Sequence, residues 1–518
     1  MAMLFKKIVD RARLVAEQLR LRLPIPTVVG NVDHLRFEEE LVRIDGLLVA
    51  SGVEQKYVSG GVARAEAEVE KAYRAARRKG RLSSGARRVI QKQARQGLRC
   101  NVLRLLLGED FRGMSRRLAE APLFQWFCGV DRLGVVKVPT KSTLQRYSRE
   151  VSEEVLRDLV NGLMAAGAEL PSQPGGSQKL GLEAPLDLEA YFVDTTCLKL
   201  NIHFPVDWVL LRDAARTLMK ATILIRKRGL KVRMKDPRDF LRDMNRRCIE
   251  MTHTARRKDG KKGRKKILRE MTALSRTIKS HAVRHRALLS TRWRETDLSE
   301  AQAQQIIGRI DGIVENLPKA IEQARERLIR GRFVPNEEKI LTLYEPHAEI
   351  LIRGKAAAKI EFGSQLFLGE QRQGVILDWA LLDGETETDA NLLKESLARL
   401  KVLPEFKRIK VVAGDRGFGT KANAAMLSDA ELGNALCPKA PKELTQRRQE
   451  KEFRDLQTRR SQTEGRIGIF KNVFTGNPIL AKGPKNQAAE VGWAVLTHNL
   501  WVIARLPQAE LQSAQRAA

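Results

Sequence analysis

The chain has 518 residues, 43% of them hydrophobic, which is enough for a sizeable buried core and about two to four domains and excludes a disordered chain. Lys and Arg outnumber Asp and Glu by 94 to 62, a formal net charge of +32; an excess of that size points to a polyanionic partner, since each phosphate neutralised by a basic side chain releases condensed counterions. Five scattered cysteines without a CxxC pair argue against a zinc site or disulfide scaffold and suit a reducing cytoplasm, and no apolar run approaches the roughly 18 residues that cross a bilayer.

Met1 to Leu23 is basic and amphipathic, but Asp10 and Glu17 interrupt any apolar core, so it reads as a surface helix rather than a signal peptide. From Asp33 to about Gly167 the pattern is helical. Val102–Leu107 reads as a buried helix ended by Gly108, and Ser115 as the cap opening the next. Pro139 sets a turn, Thr140 caps, and Lys141, Ser142, Gln145 and Arg146 fall on the first turns of the following helix. A helix-turn-helix module presents such residues to a major groove, and an ordinary helical hairpin with solvated charges fits them equally. Pro171–Ser177 is poor in apolar residues and rich in turn formers, which predicts a linker over 169–186 between a helical region, 1–168, and a second domain, 187–506, with a flexible tail at 507–518.

The second domain opens on Ala190-Tyr191-Phe192-Val193-Asp194, a short apolar run read as a buried strand ending at or near its carboxylate. β character then stops, and about 205–335 reads as a helical insertion. Arg226–Arg247 is dense in positive charge, and Arg256–Lys266, containing Lys261, Lys262, Arg264 and Lys265, is the most basic patch of all. Its glycines predict a flexible loop that meets phosphate rather than only a solvated face. Runs at His347–Ile352, Ala358–Leu368 and Gly374–Leu381 predict an antiparallel meander. Thr388 and Asp389 can cap a helix with Leu393, Leu397 and Leu400 on one face. Ile409–Gly414 is a second strand running into an acid, Asp415, beside Arg416. Further on, a polar helix places Arg460, Glu464 and Lys471 at intervals of four and seven residues, hence on one face. The apolar helix from Glu490 to Leu506 is expected to pack on the sheet.

Three carboxylates on separate elements, Asp194, Asp415 and Glu464, suit two divalent ions about 4 Å apart that serve an in-line phosphoryl displacement. Magnesium fits all-oxygen ligands and manganese should substitute. Arg460 and Lys471 beside Glu464 would hold phosphates. Each acid has an innocent reading as cap, turn former or solvated residue, and Asp207, Asp378, Asp383 and Asp389 compete with them.

These motifs resemble those of the DDE transposases of bacterial insertion sequences. The resemblance rests on Val193-Asp194-Thr195-Thr196, on Ala413-Gly414-Asp415-Arg416-Gly417-Phe418, and on Arg460-x3-Glu464-x6-Lys471, the last similar to a Tyr-x2-Arg-x3-Glu-x6-Lys signature whose tyrosine position is Gln457 here. It covers roughly residues 95 to 505. It implies a ribonuclease H-like α/β core with a mixed sheet, a long helical insertion after the first strand and an all-α N-terminal region. It also implies an endonuclease for DNA recombination: metal-dependent cleavage at element ends, then strand transfer of the freed 3′-hydroxyl into target DNA. The implied partners are double-stranded DNA, as terminal inverted repeats and as target, and at least a second copy of the chain in the active complex, with no membrane. The implied place is the bacterial cytoplasm, at the nucleoid. The alternatives are a DNA-binding protein whose acids no longer assemble and a structure-selective nuclease on the same core.

Overall fold

The computed structural model describes residues 25, 28–75, 80–131, 135–171, 178–255, 260–352, 360–383 and 387–509. The expected N-terminal surface helix and residues 172–177 of the expected linker lie outside this set. The molecule is mixed α/β and divides into two compact units, one of residues 1–198, 365–381 and 387–518, the other of residues 199–364 and 382–386. The division thus falls at 198/199 rather than within 169–186, and the N-terminal helices share a unit with most of the sheet.

In the first unit the N-terminal helices are α1 (Val32–Ala50), α2 (Val53–Ala75), α3 (Ser84–Leu106), α4 (Phe111–Glu120), α5 (Pro122–Cys128), α6 (Lys141–Arg149) and α7 (Glu153–Ala168). The glycine stop holds: Gly108 follows α3 with φ +62°. Ser115 is not a cap. It lies inside α4, which Asp110 caps by accepting from the amides of Arg112 and Gly113, and its hydroxyl donates to Pro139 O. Thr140 does cap α6, accepting from the Thr143 amide. The connection from α5 to α6 spans residues 129–140, longer than the three or four residues that turn a helix-turn-helix.

The mixed sheet has six strands, β1 (Ala190–Lys199), β2 (Glu349–Ile352), β3 (Ile360–Glu370), β4 (Ile376–Leu381), β5 (Val411–Gly414) and β6 (Gly433–Leu436), ordered β2-β3-β1-β5-β6 with β4 also on β3. β2–β3 and β3–β4 are antiparallel, as expected of a meander, whereas β1–β5 and β5–β6 are parallel. β1 does not end at Asp194. It continues to Lys199, buried on both sides of that position, because Thr195, Thr196 and Cys197 are themselves good strand residues.

The second unit contains the expected helical insertion: α8 (Asp207–Lys227), α9 (Pro237–Ala255), α10 (Lys261–Arg292) and α11 (Glu300–Arg325), around Leu211, Leu218, Met271, Ile278, Ile310 and Leu317. Lys261, Lys262, Arg264 and Lys265 belong to the first turns of α10 and not to a loop, while residues 256–259 lie outside the described set.

Helices α12 (Asp389–Leu400), α13 (Lys421–Asp429), α14 (Pro441–Arg447), α15 (Lys451–Ile469) and α16 (Pro484–Ala504) complete the first unit. Side chains alternate across β1. Ala190 and Phe192 pack with Ala413, Ala435, Leu444, Phe453 and Leu456, so that face lies under α14 and α15. Tyr191 points the other way, its hydroxyl 2.7 Å from Ser396 Oγ on α12. α16 touches the sheet through Asn499, which bonds both the amide and the carbonyl of Ile376, but packs mainly on α1, α3 and α7 rather than on the sheet as expected. Residues 507–509 are not a frayed tail: Glu183 N donates to Pro507 O and Ala509 N to Gly181 O.

Candidate active site

Alternation along two parallel strands brings the first two acids together. Val193 pairs with Gly414 across β1 and β5, so Asp194 and Asp415, one residue on, leave neighbouring strands about 4.8 Å apart. Asp194 has the parity of Phe192 and Asp415 that of Ala413, so both belong to the face that α15 covers. Arg460 of α15 reaches there, with its Nη1 4.0 Å from Asp194 Oδ2. The Lys471 ammonium arrives from the π-helical turn Phe470–Thr475 that follows α15 and lies 3.1 Å from Thr196 Oγ1 on β1.

Asp194 is 8% exposed. Burial first, then the negative charge of Asp415 and more weakly that of Glu464, push its carboxyl up from an ordinary 3.8 to about 6; the Thr195 amide, donating at 2.7 Å, and the Arg460 guanidinium oppose the rise. Asp415 is half-buried, and its Oδ1 accepts from the Gly417 amide at 2.8 Å. Glu464 is exposed. A buried carboxyl whose ionisation is disfavoured beside a second acid fits a shared divalent cation, whose charge would reverse the shift at Asp194. Among the described residues, no three His, Cys, Asp or Glu side chains stand together as a metal-binding group, so the expected three-ligand set is not closed in this conformation.

The helix that carries Arg460 and Glu464 is pinned by polar contacts invisible to spacing rules. Gln457 Nε2 donates to Ala435 O at 2.7 Å and to Gly414 O at 3.3 Å, and its Oε1 accepts from Arg460 Nε at 3.1 Å. Gln457, at the signature's tyrosine position, is therefore a clamp on the ends of β5 and β6 that also orients Arg460. One turn away, buried Glu370 of β3 accepts from Arg459 at 3.0 Å and from Thr463 at 2.9 Å, with Arg466 at 3.7 Å, and the Arg459 guanidinium lies 4.6 Å from the Phe192 ring centre. Such a paired, hydrogen-bonded charge holds α15 in register on the sheet.

The competing acids sort themselves by their partners. Buried Asp207 is held by Arg327 and Gln323, and buried Asp378 by Arg157 and Arg399, so both serve structural pairs. Asp383 is exposed. Asp389 joins the site from the other face: its Oδ1 accepts from Thr195 Oγ1 at 2.9 Å, and a Cβ at Gly417 would collide with its Oδ2 while coming within 3.1 Å of Asp415 Oδ1. Its helix-cap sequence context gave no sign of this.

Of the expected DNA contacts, Arg416 is exposed in the turn after β5, and Lys141 and Arg146 are exposed on α6, the latter paired with Glu150 at 3.2 Å. Lys261 and Lys262 are exposed and Arg264 and Lys265 half-buried on α10. No described helix is long and apolar enough to cross a membrane. Comparison with models of known families, with curated proteins and with solved structures returned no match.

Proposed function

We propose that this chain is a metal-dependent DNA-cleaving and strand-transferring enzyme of the DDE transposase type on a ribonuclease H-like core. The observation that carries the reading is the Asp194–Asp415 pair, side by side at adjacent parallel strands, mutually repelling, with Arg460 and Lys471 delivered to the same edge. The meander of β3 and β4 on one side of β1 and parallel β5 and β6 on the other support the core assignment. Asp194 and Asp415 would hold magnesium or manganese, with Glu464 closing in from α15. Bound there, two such ions would supply charge stabilisation at the entering and leaving oxygens of an in-line displacement. Arg460, oriented by Gln457, offers a guanidinium fork to a phosphate, and Lys471 a point charge beside it. Duplex DNA is the substrate that the +32 chain would gather, and two element ends call for a second copy of the chain.

A DNA-binding protein without catalysis is favoured by one observation, the absence of a three-ligand metal group among the described residues. The deciding experiment sequences the DNA on either side of the gene for short inverted repeats and incubates the full-length protein with labelled duplexes of those two flanks, in magnesium and in manganese. On the enzyme reading, Asp415→Asn lowers strand cleavage at least about a hundredfold, the rate equivalent of the several kcal/mol a metal site supplies, and leaves duplex binding in place. Glu464→Gln does the same with the unfolding midpoint unchanged, because that side chain is exposed. Parent protein that binds these ends but cuts neither strand in either metal refutes the enzyme.

A further inference from the structure

The insertion holds a second concentration of positive charge, away from the run that opens α10. At the corner where α8 ends and α9 begins, a cavity of about 560 Å³ is lined by Arg226, Lys227, Lys231 and Arg238, with Asp236 as its acid. Between Arg226 and Arg238 there are seven Lys or Arg residues and one acid, Asp236. That acid is already used, accepting from the Arg238 amide at 2.9 Å at the start of α9. Arg228 pairs with Asp297 at 3.0 Å, but among the described residues Lys227, Lys231, Arg233, Lys235 and Arg238 have no carboxylate within ion-pair range.

The corner is built rather than loose. Arg226 donates to Val232 O at 2.7 Å, and its Nη1 lies 3.5 Å from His285 Nε2. His285 is fully buried; its Nδ1 lies 2.8 Å from His281 O, which assigns the proton there and leaves Nε2 to accept from the Val232 amide at 3.4 Å. The connecting loop and the Arg226 guanidinium are thus fixed before any anion arrives, which lowers the entropy cost of binding. α9 has 19 residues, so this corner stands about 28 Å from the helix's other end, next to which Lys261 opens α10.

We propose that the α8–α9 corner is a separate docking site for the phosphodiester backbone of duplex DNA, with Arg226, Lys231 and Arg238 as its phosphate ligands. A free phosphate would be saturated by two or three of these cations. Five exposed cations without an ion-pair partner among the described residues, Lys227, Lys231, Arg233, Lys235 and Arg238, stand within these thirteen residues, two of them outside the cavity lining, which exceeds what one phosphate takes up and suits a polyanion carrying several. The assignment of DNA rests on the function proposed above, but its readout is binding alone, so failure to cleave and failure to dock here are distinguishable.

The test titrates full-length protein against a fluorescein-labelled duplex by anisotropy, over roughly 50 to 200 mM salt. Arg226→Gln/Lys231→Gln/Arg238→Gln should weaken binding and reduce the slope of log K against log salt by about 0.9 for each phosphate left unneutralised, hence by about 2 to 3. Lys231→Gln/Arg238→Gln, confined to exposed side chains, should show about two-thirds of that reduction and keep the parent's unfolding midpoint. An unchanged slope in both variants overturns the proposal. So does a slope unchanged while inorganic phosphate raises the unfolding midpoint of the parent and not of the triple variant, which would make the corner a small-anion site.

Discussion

Replacing Asp194 by Asn should make the protein more stable while ending its chemistry. The side chain is buried against Asp415, and the rise of its pKa from 3.8 to about 6 corresponds, at about 1.4 kcal/mol per unit, to about 3 kcal/mol. The sign follows from which state holds the proton. Below pH 3.8 both folded and unfolded chains carry Asp194 neutral, and the group contributes nothing. Between 3.8 and about 6 the unfolded chain releases the proton and the folded one keeps it, so stability from this group is lost as pH rises through that window, and the full cost is present at neutral pH. Asn is neutral throughout and still offers an oxygen to the Thr195 amide. In metal-free buffer, urea unfolding followed by tryptophan fluorescence should therefore show Asp194→Asn more stable than the parent by up to about 3 kcal/mol at pH 7.5, with the gap closing towards pH 4. Magnesium should narrow the gap at pH 7.5 by stabilising the parent alone, by about 2.7 kcal/mol at a hundred times its dissociation constant. A variant less stable than the parent at pH 7.5, or a gain equal at both pH values, refutes the electrostatic account of the pair.

Gln457→Ala strips the clamp from Ala435 O and Gly414 O and should lower stability by about 1–3 kcal/mol, with a larger loss of cleavage than Gln457→Glu, which keeps an acceptor for Arg460; parallel urea melts and cleavage rates check this. Glu370→Gln leaves Arg459 buried without its counter-charge and should cost about 3–5 kcal/mol in the same melts. Asp389→Ala removes the acceptor of Thr195 Oγ1 and frees space at Gly417, so it should slow magnesium-dependent cleavage while DNA binding, read by anisotropy, stays at the parent's level. Its equality with the parent in cleavage would remove Asp389 from the site.

Much of the architecture is legible in the order of residues because periodicity is a local property. The meander, the α12 cap at Thr388, the helical insertion and the helix bearing Arg460 and Glu464 all follow from patterns within about twenty residues of chain. The misreadings share a cause, which is competition between local signals. Ser115 resembles a cap, but Asp110 five residues earlier takes that role. The glycines at 260 and 263 resemble a loop, yet α10 starts at Lys261 and runs through Gly263. An acid at 194 suggests the end of β1, but the β-branched pair Thr195-Thr196 carries the strand on.

Sequence by itself determined the net positive charge, the two strand-like runs that carry Asp194 and Asp415, and the helical spacing of Arg460 and Glu464. Tertiary structure alone decided which carboxylates remain to do chemistry. Asp207 is paired with an arginine more than a hundred residues away in the chain and Asp378, on β4, with arginines on two helices, whereas Asp194 meets another acid across a parallel strand pair. A carboxylate's charge state depends on which distant groups the fold sets beside it, through burial and Coulomb interaction over a few ångströms, and those neighbours are not written in its local sequence.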